Sequence, residues 1–172
     1  MLRSIRWRIA VPTILLLLVT LAGLSLYLSR FVRTAYTADL RAQLLSEARL
    51  AGDALADLPG DTTPDRLDSL ADRWGPLLEA RVTIMAADGT VLGDSHEDLA
   101  RLDNHLSRPE VQEALASGEG SSTRFSATVG YDMLYAAVPV EVEGRVAAIA
   151  RVARPLRQVQ VHTARLGRTI LL

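Results

Sequence analysis

A long uncharged run near the N-terminus dominates the polarity pattern of the chain. Residues 9–28 (IAVPTILLLLVTLAGLSLYL) carry no charge, and as a helix they would span about 30 Å, the thickness of a bilayer's hydrocarbon core. A secretion signal has a shorter apolar core and ends in a small-residue cleavage site, which the segment Tyr27–Phe31 does not offer. The pattern therefore predicts a retained transmembrane helix over 9–28, preceded by a short tail over 1–8.

The charges that flank this helix predict its orientation. Arg3, Arg6 and Arg8 crowd the short N-terminal tail, whereas Arg30 and Arg33 lie on the other side. Positive charge is retained preferentially on the cytoplasmic side of a membrane. We therefore expect the tail in the cytoplasm and the rest of the chain outside it, at the plasma or inner membrane.

Helical spacing continues beyond the apolar run. Leucines and alanines recur every three or four residues and form one stripe, namely Leu40, Leu44, Ala48, Ala51, Leu55 and Leu58. The stripe predicts a long juxtamembrane helix over 29–58, which Pro59-Gly60 ends. It either packs on the domain that follows or pairs with a second copy of the chain in a coiled coil, and a homodimer is the expected assembly.

The periodicity between residues 59 and 106 predicts a helix followed by a hairpin. Thr63 is an N-cap candidate before Pro64, and Gly75-Pro76 is expected to close this second helix. The alternating segment 81–86 and the segment 90–92 surround Asp88-Gly89, which is typical of a β-hairpin. The polar segment 93–106 reads as a loop.

One further helix and three strands complete the domain. Residues 107–116 predict a short helix with a capping box formed by Ser107 and Glu110. Strands are expected over 121–129, 133–141 and 145–153, joined by hairpin-length connections at 130–132 and 142–144. The order predicts an α+β, PAS-like (PDC/Cache-like) domain over 59–153, with a five-stranded antiparallel sheet and helices on one face.

The C-terminal segment 154–172 is expected to be a linker that begins a second transmembrane helix. Arg154-Pro155 breaks the last strand, and the following helical pattern becomes apolar at Thr169–Leu172. We expect this second membrane helix to continue beyond residue 172 in a longer parent protein. Arg154, Pro155 and Leu156 would then relay a signal from the domain to the membrane.

Charge and composition exclude several classes of function. The chain has 172 residues, a net charge of −1 and no cysteine, which excludes disulfides, zinc–thiolate sites and cysteine nucleophiles. All 20 carboxylates lie between Asp39 and Glu143, and residues 144–172 carry only basic charge. Basic ends suit anionic membrane lipid as a partner. Because no basic patch is interleaved with aromatic residues, nucleic acid is not expected as a partner.

The chemistry-bearing residues do not form a catalytic motif. The sequence has no phosphate-binding loop, no H-E-x-x-H and no G-x-S-x-G, so no catalytic residue is assigned. Oxygen and imidazole ligands are concentrated in one loop and predict a candidate metal site at Asp94, His96 and Asp98, with Glu97, Asp103 and His105 nearby. The alternative is an acidic loop that is merely solvated.

Four residues are candidates for binding a ligand. Arg124 lies in a predicted strand, where its guanidinium would suit a carboxylate or a phosphate. The alternative, which strand alternation favours, is an arginine that faces outwards. Tyr131 is expected in a turn, Tyr135 in the core with its hydroxyl at the rim, and His105 in the loop before the short helix.

Four motifs resemble a known family of sensors. They are D-G-x-V-L-x-D-S over 88–95, N-H-x-x-R-P-E-V-x-x-A-L over 104–115, G-x-G-x-x-x-R over 118–124 and M-L-Y-x-A-x-P-V over 133–140. Together they resemble the extracytoplasmic sensor region of phosphate-regulon and cell-wall-type (PhoR/WalK-like) membrane sensor histidine kinases. The similarity, with the two membrane segments, covers nearly the whole chain.

This resemblance implies a function and a set of partners. A PAS-like sensor between two membrane helices would relay an extracytoplasmic stimulus to a cytoplasmic protein-histidine kinase, which would phosphorylate a cognate response regulator. ATP and magnesium would belong to that kinase, and no cofactor is expected in this segment. Two alternatives stay open: a membrane-tethered binding module, and the same sensor on a chemoreceptor or a cyclic-dinucleotide synthase.

Overall fold

The computed structural model describes residues 5–60, 62–126 and 130–156. The chain divides into two units, one over residues 1–39 and the other over residues 40–172. The first helix, α1 (Ile5–Ala56), contributes to both units and ends two residues before the predicted position. The predicted second membrane helix lies outside the described residues.

The first unit consists of the N-terminal part of α1. Its large apolar side chains between Trp7 and Val32 are exposed, and an 18-residue stretch has a mean hydropathy of 2.4. By length and composition, α1 is the one helix among the described residues that could cross a membrane. The hydroxyls of Thr13 and Thr20 donate to the carbonyls of Ile9 (2.8 Å) and Leu17 (2.9 Å), so these polar groups need no water.

The second unit buries the leucine and alanine stripe of α1. Leu44 and Ala48 have no exposed surface, and Leu40, Ala51 and Leu55 are less than a tenth exposed. A Cβ atom at Gly52 would lie 3.3 Å from Cγ2 of Val138, which places this part of α1 against the sheet. The interpretation that the stripe packs on its own domain is confirmed, and these residues do not form the seam of a coiled coil.

Five antiparallel strands form one sheet, as predicted. In space their order is β2-β1-β5-β4-β3, so β5 is the central strand. The strands are β1 (Arg81–Ala86), β2 (Val91–Asp94), β3 (Gly120–Ser126), β4 (Tyr131–Val142) and β5 (Arg145–Pro155).

Helices cover both faces of the sheet, which corrects the expectation of a single covered face. Helix α2 (Pro64–Leu78) packs on β1 and β2. Val111 and Ala114 of α3 (Pro109–Ser117) form a buried cluster with Met85, Ala137 and Ile149. Successive strand residues point to opposite faces, so Ala137 faces α3 whereas Val138 faces α1. The site described below lies on the face that α3 covers.

The second helix ends later than predicted. Helix α2 passes through Gly75 and Pro76 and ends at Leu78, and the next residue, Glu79, adopts a left-handed conformation (φ 48°). Gly75 is needed for packing and not as a stop, because a Cβ there would lie 2.7 Å from Cβ of Ser95. Thr63 is extended before Pro64, as expected, but its side chain makes no capping hydrogen bond.

Two of the predicted connections between elements differ in smaller ways. A short 3-10 helix (Leu99–Arg101) interrupts the predicted loop. Strand β4 begins at Tyr131, so this tyrosine is a strand residue and the predicted turn position is wrong. The end of the predicted strand over 121–129 lies outside the described residues.

Candidate functional site

The α3-covered face of the sheet carries a buried ion pair between β1 and β2. Nε of Arg81 donates to both carboxylate oxygens of Asp94, at 3.0 and 3.1 Å, and the hydroxyl of Thr83 donates to Asp94 at 2.7 Å. The side chains of Arg81 and Asp94 are 5% and 0% exposed. The ion pair thus links β1 to β2, and Thr83 connects it to Arg151.

A second buried arginine, Arg151, lies on the central strand β5. Arg151 donates from Nη1 to Glu110 (3.3 Å) and from Nη2 to the hydroxyl of Thr83 (3.1 Å). Its side chain is 2% exposed. Burial lowers the pKa of Arg151 to about 10, against the opposing effect of Glu110, so the guanidinium still carries its charge at neutral pH.

Glu110 receives three donors at the start of α3. The hydroxyl of Ser122 donates at 2.5 Å, Arg124 at 3.2 Å and Arg151 at 3.3 Å. Burial acts to raise the pKa of Glu110, but the Ser122 hydrogen bond and the charge of Arg151 outweigh it and lower the pKa. The predicted capping box is therefore wrong: the N-cap is Arg108, and the carboxylate turns into the core, where it neutralises buried cations.

Arg124 lies on the face of the sheet that α3 covers, together with Glu110 and Tyr135. Its guanidinium carbon lies 3.9 Å from the ring centroid of Tyr135, and that of Arg151 lies 5.2 Å from it. Such stacking over an aromatic face is a cation–π contact. The outward position that strand alternation favoured is occupied by the neighbouring Phe125, which is 62% exposed. We call Arg81, Asp94, Glu110, Arg124 and Arg151 the arginine cluster.

The other predicted ligand-binding residues are Tyr131, Tyr135 and His105. Tyr131 packs against the buried group of Met133, Tyr135 and Ala153. His105 is 6% exposed, and its Nδ1 lies 2.6 Å from the carbonyl of Asp103. Burial, followed by the charge of Arg151, lowers the pKa of His105 to about 4. Tyr131 therefore lies close to Tyr135, and the charge of Arg124 also acts on His105; that these four residues form a ligand site stays a prediction.

The predicted metal ligands do not come together in the same way. Asp94 accepts from Arg81, Thr83 and the backbone N–H groups of His96 and Glu97. Asp98 accepts from the N–H of Ala100 and caps the 3-10 helix. Over residues 5–60, 62–126 and 130–156, no group of three or more His, Asp or Glu side chains is placed to hold a metal ion.

The predicted relay residues connect β5 to both helices of the opposite face. Arg154 donates to Glu47 of α1 at 2.9 Å, to the carbonyl of Leu78, and from Nε to the carbonyl of Glu79 at 3.3 Å. Pro155 pairs in register with Met133 of β4. The N–H of Leu156 donates to the carbonyl of Asp132 at 3.0 Å. The end of β5 is therefore bonded to α1, to the C-terminal end of α2 and to β4.

Three members of the arginine cluster escaped the sequence analysis. Arg151 stands in an otherwise apolar strand (VAAIARVA, 146–153), and an arginine inside such a strand must find a buried partner. That signal identifies Arg151 but not its partner. Glu110 and Arg81 are separated from it by 41 and 70 positions in sequence, and no local pattern links them.

Comparisons with known proteins place the fold among sensor domains. The ligand-binding domain of the Campylobacter jejuni chemoreceptor Tlp3, in complex with 4-methylisoleucine, matches with a TM-score of 0.60 and 16% identity over 72% of this chain and 54% of that domain. The ligand-binding domain of the Pseudomonas aeruginosa PAO1 amino acid chemoreceptor PctC, in complex with GABA, matches with a TM-score of 0.58 and 17% identity, covering 78% of this chain and 62% of the other.

A shorter domain is covered almost completely. The Escherichia coli DcuS sensor domain matches with a TM-score of 0.55 and 14% identity over 72% of this chain and 97% of that domain. The chain spans only about half the length of the Tlp3 domain. No protein-family profile and no curated protein matches the sequence. The chain has the PAS-like (PDC/Cache-like) fold of sensor domains, and these matches give no support to the phosphate-regulon or cell-wall subtype.

Proposed function

We propose that the chain is the signal-input region of a membrane-anchored receptor, in which the domain over residues 40–156 receives an extracytoplasmic stimulus. The fold carries this proposal, because sensor and ligand-binding domains share it. The arginine cluster supports it, since a buried charged site between a helix and a sheet is a place where a stimulus would change packing.

The N-terminal part of α1 would be the membrane anchor. Its apolar side chains are exposed along 9–28, and lipid would cover them at no cost in buried polar groups, because the threonine hydroxyls bond to the helix itself. The arginines at positions 3, 6 and 8 support a tail in the cytoplasm, because positive charge is retained preferentially on that side. The domain would then lie outside the plasma or inner membrane.

For the output we propose a two-component histidine kinase of the phosphate-regulon or cell-wall type. Its support is the motif resemblance between Val82 and Pro139. A homodimeric kinase, its ATP and magnesium, and a cognate response regulator would belong to a cytoplasmic part outside this sequence. A chemoreceptor output is the second candidate, and the fold matches to the Tlp3 and PctC domains favour it.

The ligand site that we propose comprises Arg124, Tyr131, Tyr135 and His105. Arg124 carries a delocalised charge that suits a carboxylate or a phosphate, and the Tyr135 ring supports its guanidinium at 3.9 Å. His105 is held in its neutral form and its Nδ1 donates to the Asp103 carbonyl, so its Nε2 would accept one hydrogen bond without adding charge. A small anion is the ligand class that these groups fit.

The relay would run through Arg154, Pro155 and Leu156. Arg154 links the end of β5 to α1 through Glu47, so a displacement of the central strand reaches the helix that leads to the membrane. Shifts of about 1–2 Å between packed helices are sufficient for switching in other systems.

A chimera tests the sensor role. Residues 1–156 would be fused in frame to the second membrane helix and the cytoplasmic part of a histidine kinase whose response regulator drives a reporter gene. We expect the insertion of Gly-Pro-Gly after Pro155 to abolish the dependence of the reporter on Arg124→Ala, while the same insertion after Gly60 preserves it. A reporter that ignores both changes, or a phosphatase fusion after residue 156 that proves cytoplasmic, would overturn the proposal.

A further inference from the structure

Positive charge exceeds negative charge in the arginine cluster. Three arginines face two carboxylates, and Asp94 is already engaged by Arg81. The two remaining arginines of the cluster, Arg124 and Arg151, therefore share the single carboxylate of Glu110. An additional anion would improve the balance of charge in a part of the domain where water does not screen it.

The cluster also holds unused hydrogen-bond donors. Among the described residues, the Nε–H groups of Arg124 and Arg151 are buried and have no hydrogen-bond partner. Arg151 is 98% buried, with an exposed side-chain fraction of only 2%. Buried donors are normally paired, and two unpaired guanidinium donors at one site are typical of a pocket that accepts an oxyanion.

Glu110 reaches this site because α3 lies directly on β3. It is the second residue of the helix, after Pro109. A Cβ atom at Gly120 would lie only 2.0 Å from the carbonyl oxygen of Glu110, so the glycine permits the contact. An open groove of about 600 Å³ borders this first turn and is lined by Asn104, Leu106, Ser107 and Gln112.

We propose that Glu110 is an internal ligand of a carboxylate-binding site formed by Arg124, Arg151 and Ser122, and that an external small carboxylate binds there by displacing it. This inference rests on the sensor function proposed above and deepens it. The displaced Glu110 would release the first turn of α3 from β3, so that occupancy of the site becomes a change in packing.

Glu110→Ala tests the proposal with acetate as the probe. The substitution removes a CH₂–COO⁻ group, and acetate restores the same atoms as a free solute. For the full chain in detergent micelles, we expect acetate to raise the unfolding temperature of this variant saturably, with an affinity at least ~10-fold tighter than for the unsubstituted chain. Acetamide, which has the same shape and no charge, should have no such effect at matched ionic strength.

Two matched variants assign the effect to the site. Glu113→Ala removes a carboxylate from the same helix, half exposed and bonded to the N–H of Ser121, and its acetate affinity should equal that of the unsubstituted chain. Adding Arg151→Met to Glu110→Ala should abolish the acetate effect. An acetate affinity that is equal with and without Glu110, or that survives the loss of Arg151, overturns the proposal.

Hydrogen exchange tests displacement in the unsubstituted chain. At saturating acetate, the amides of residues 111–114 should exchange at least ~10-fold faster, since the first turn of α3 is released. Unchanged exchange, or no saturable binding at any attainable concentration, overturns displacement. If Glu110→Ala does not fold, Glu110→Gln replaces it, and failure of both to refold in acetate also overturns the proposal. The chimera above tests the sensor role separately, so that role survives such a failure.

Discussion

Acidification should destabilise the domain through His105. The neutral ring is buried at 6% exposure beside Arg151, and its Nδ1 donates to the carbonyl of Asp103. The groups that face it are cationic, namely Arg108, Arg124 and Arg151. Protonation of His105 would therefore place a fourth positive charge into a region that already has an excess of them.

The sign and size of the effect follow from the pKa. Its folded-state value is about 4, against 6.5 for the unfolded chain. Between these values the unfolded state binds a proton that the folded state does not, so the free energy of unfolding falls as the pH falls. At 1.36 kcal/mol per unit, lowering the pH from about 7.5 to about 5 removes about 2 kcal/mol, or roughly 8 °C in the unfolding temperature.

Urea unfolding of the full chain in detergent, at both pH values, measures this loss. Trp7→Phe leaves Trp74 as the reporter within the second unit. His105→Asn keeps a donor near the Asp103 carbonyl but does not titrate, so its pH-dependent loss should be smaller by about 2 kcal/mol. His96→Asn, at an exposed histidine, is the control. An equal loss in His105→Asn and in the unsubstituted chain would refute the reasoning.

Three further changes have definite expected results in the same unfolding assay. Gly120→Ala should cost about 2 kcal/mol or more, because its Cβ would meet the Glu110 carbonyl; Gly60→Ala, which has open space around it, should be near neutral. Arg151→Met should cost about 3–5 kcal/mol, and Glu110→Met should cost less in that variant than in the unsubstituted chain, since the ion pair between the two residues is lost only once; strict additivity would contradict this. Arg154→Gln should cost less than Arg151→Met, and an equal cost would contradict the difference in burial.

Elements whose pattern is local were predictable from the sequence. The apolar helix, the hairpin around Asp88-Gly89 and the antiparallel meander of β3, β4 and β5 all follow from periodicity and turn chemistry, which need only neighbouring residues. The buried stripe of α1 was also visible, because Leu44 and Ala48 recur at helical spacing. The second helix was predicted to end too early, because Gly75 and Pro76 are typical of a helix end. Only the close packing of Ser95 shows that Gly75 lies inside the helix for lack of space.

The candidate site was predictable only in part, because its charges pair over long distances in sequence. Arg124 was a candidate for binding an anion, but strand alternation favoured an outward position, and only the contacts with Glu110 and Tyr135 show the face on which it lies. Glu110 fits a capping box by spacing, and only its contacts with Arg124 and the buried Arg151 draw it into the core instead. A local rule lost here to a stronger electrostatic demand.

The central strand unites the two functional proposals. Arg151 points from β5 to the face that α3 covers, where it holds Glu110. Arg154, three residues further on, points to the opposite face and holds Glu47 of α1. Strand alternation makes this division necessary, because residues an odd number apart lie on opposite faces. A change of partner at Arg151 would therefore act on the same strand whose end is bonded to α1. Arg151, in the proposed ligand site, and Arg154, in the proposed relay, lie only three positions apart in β5.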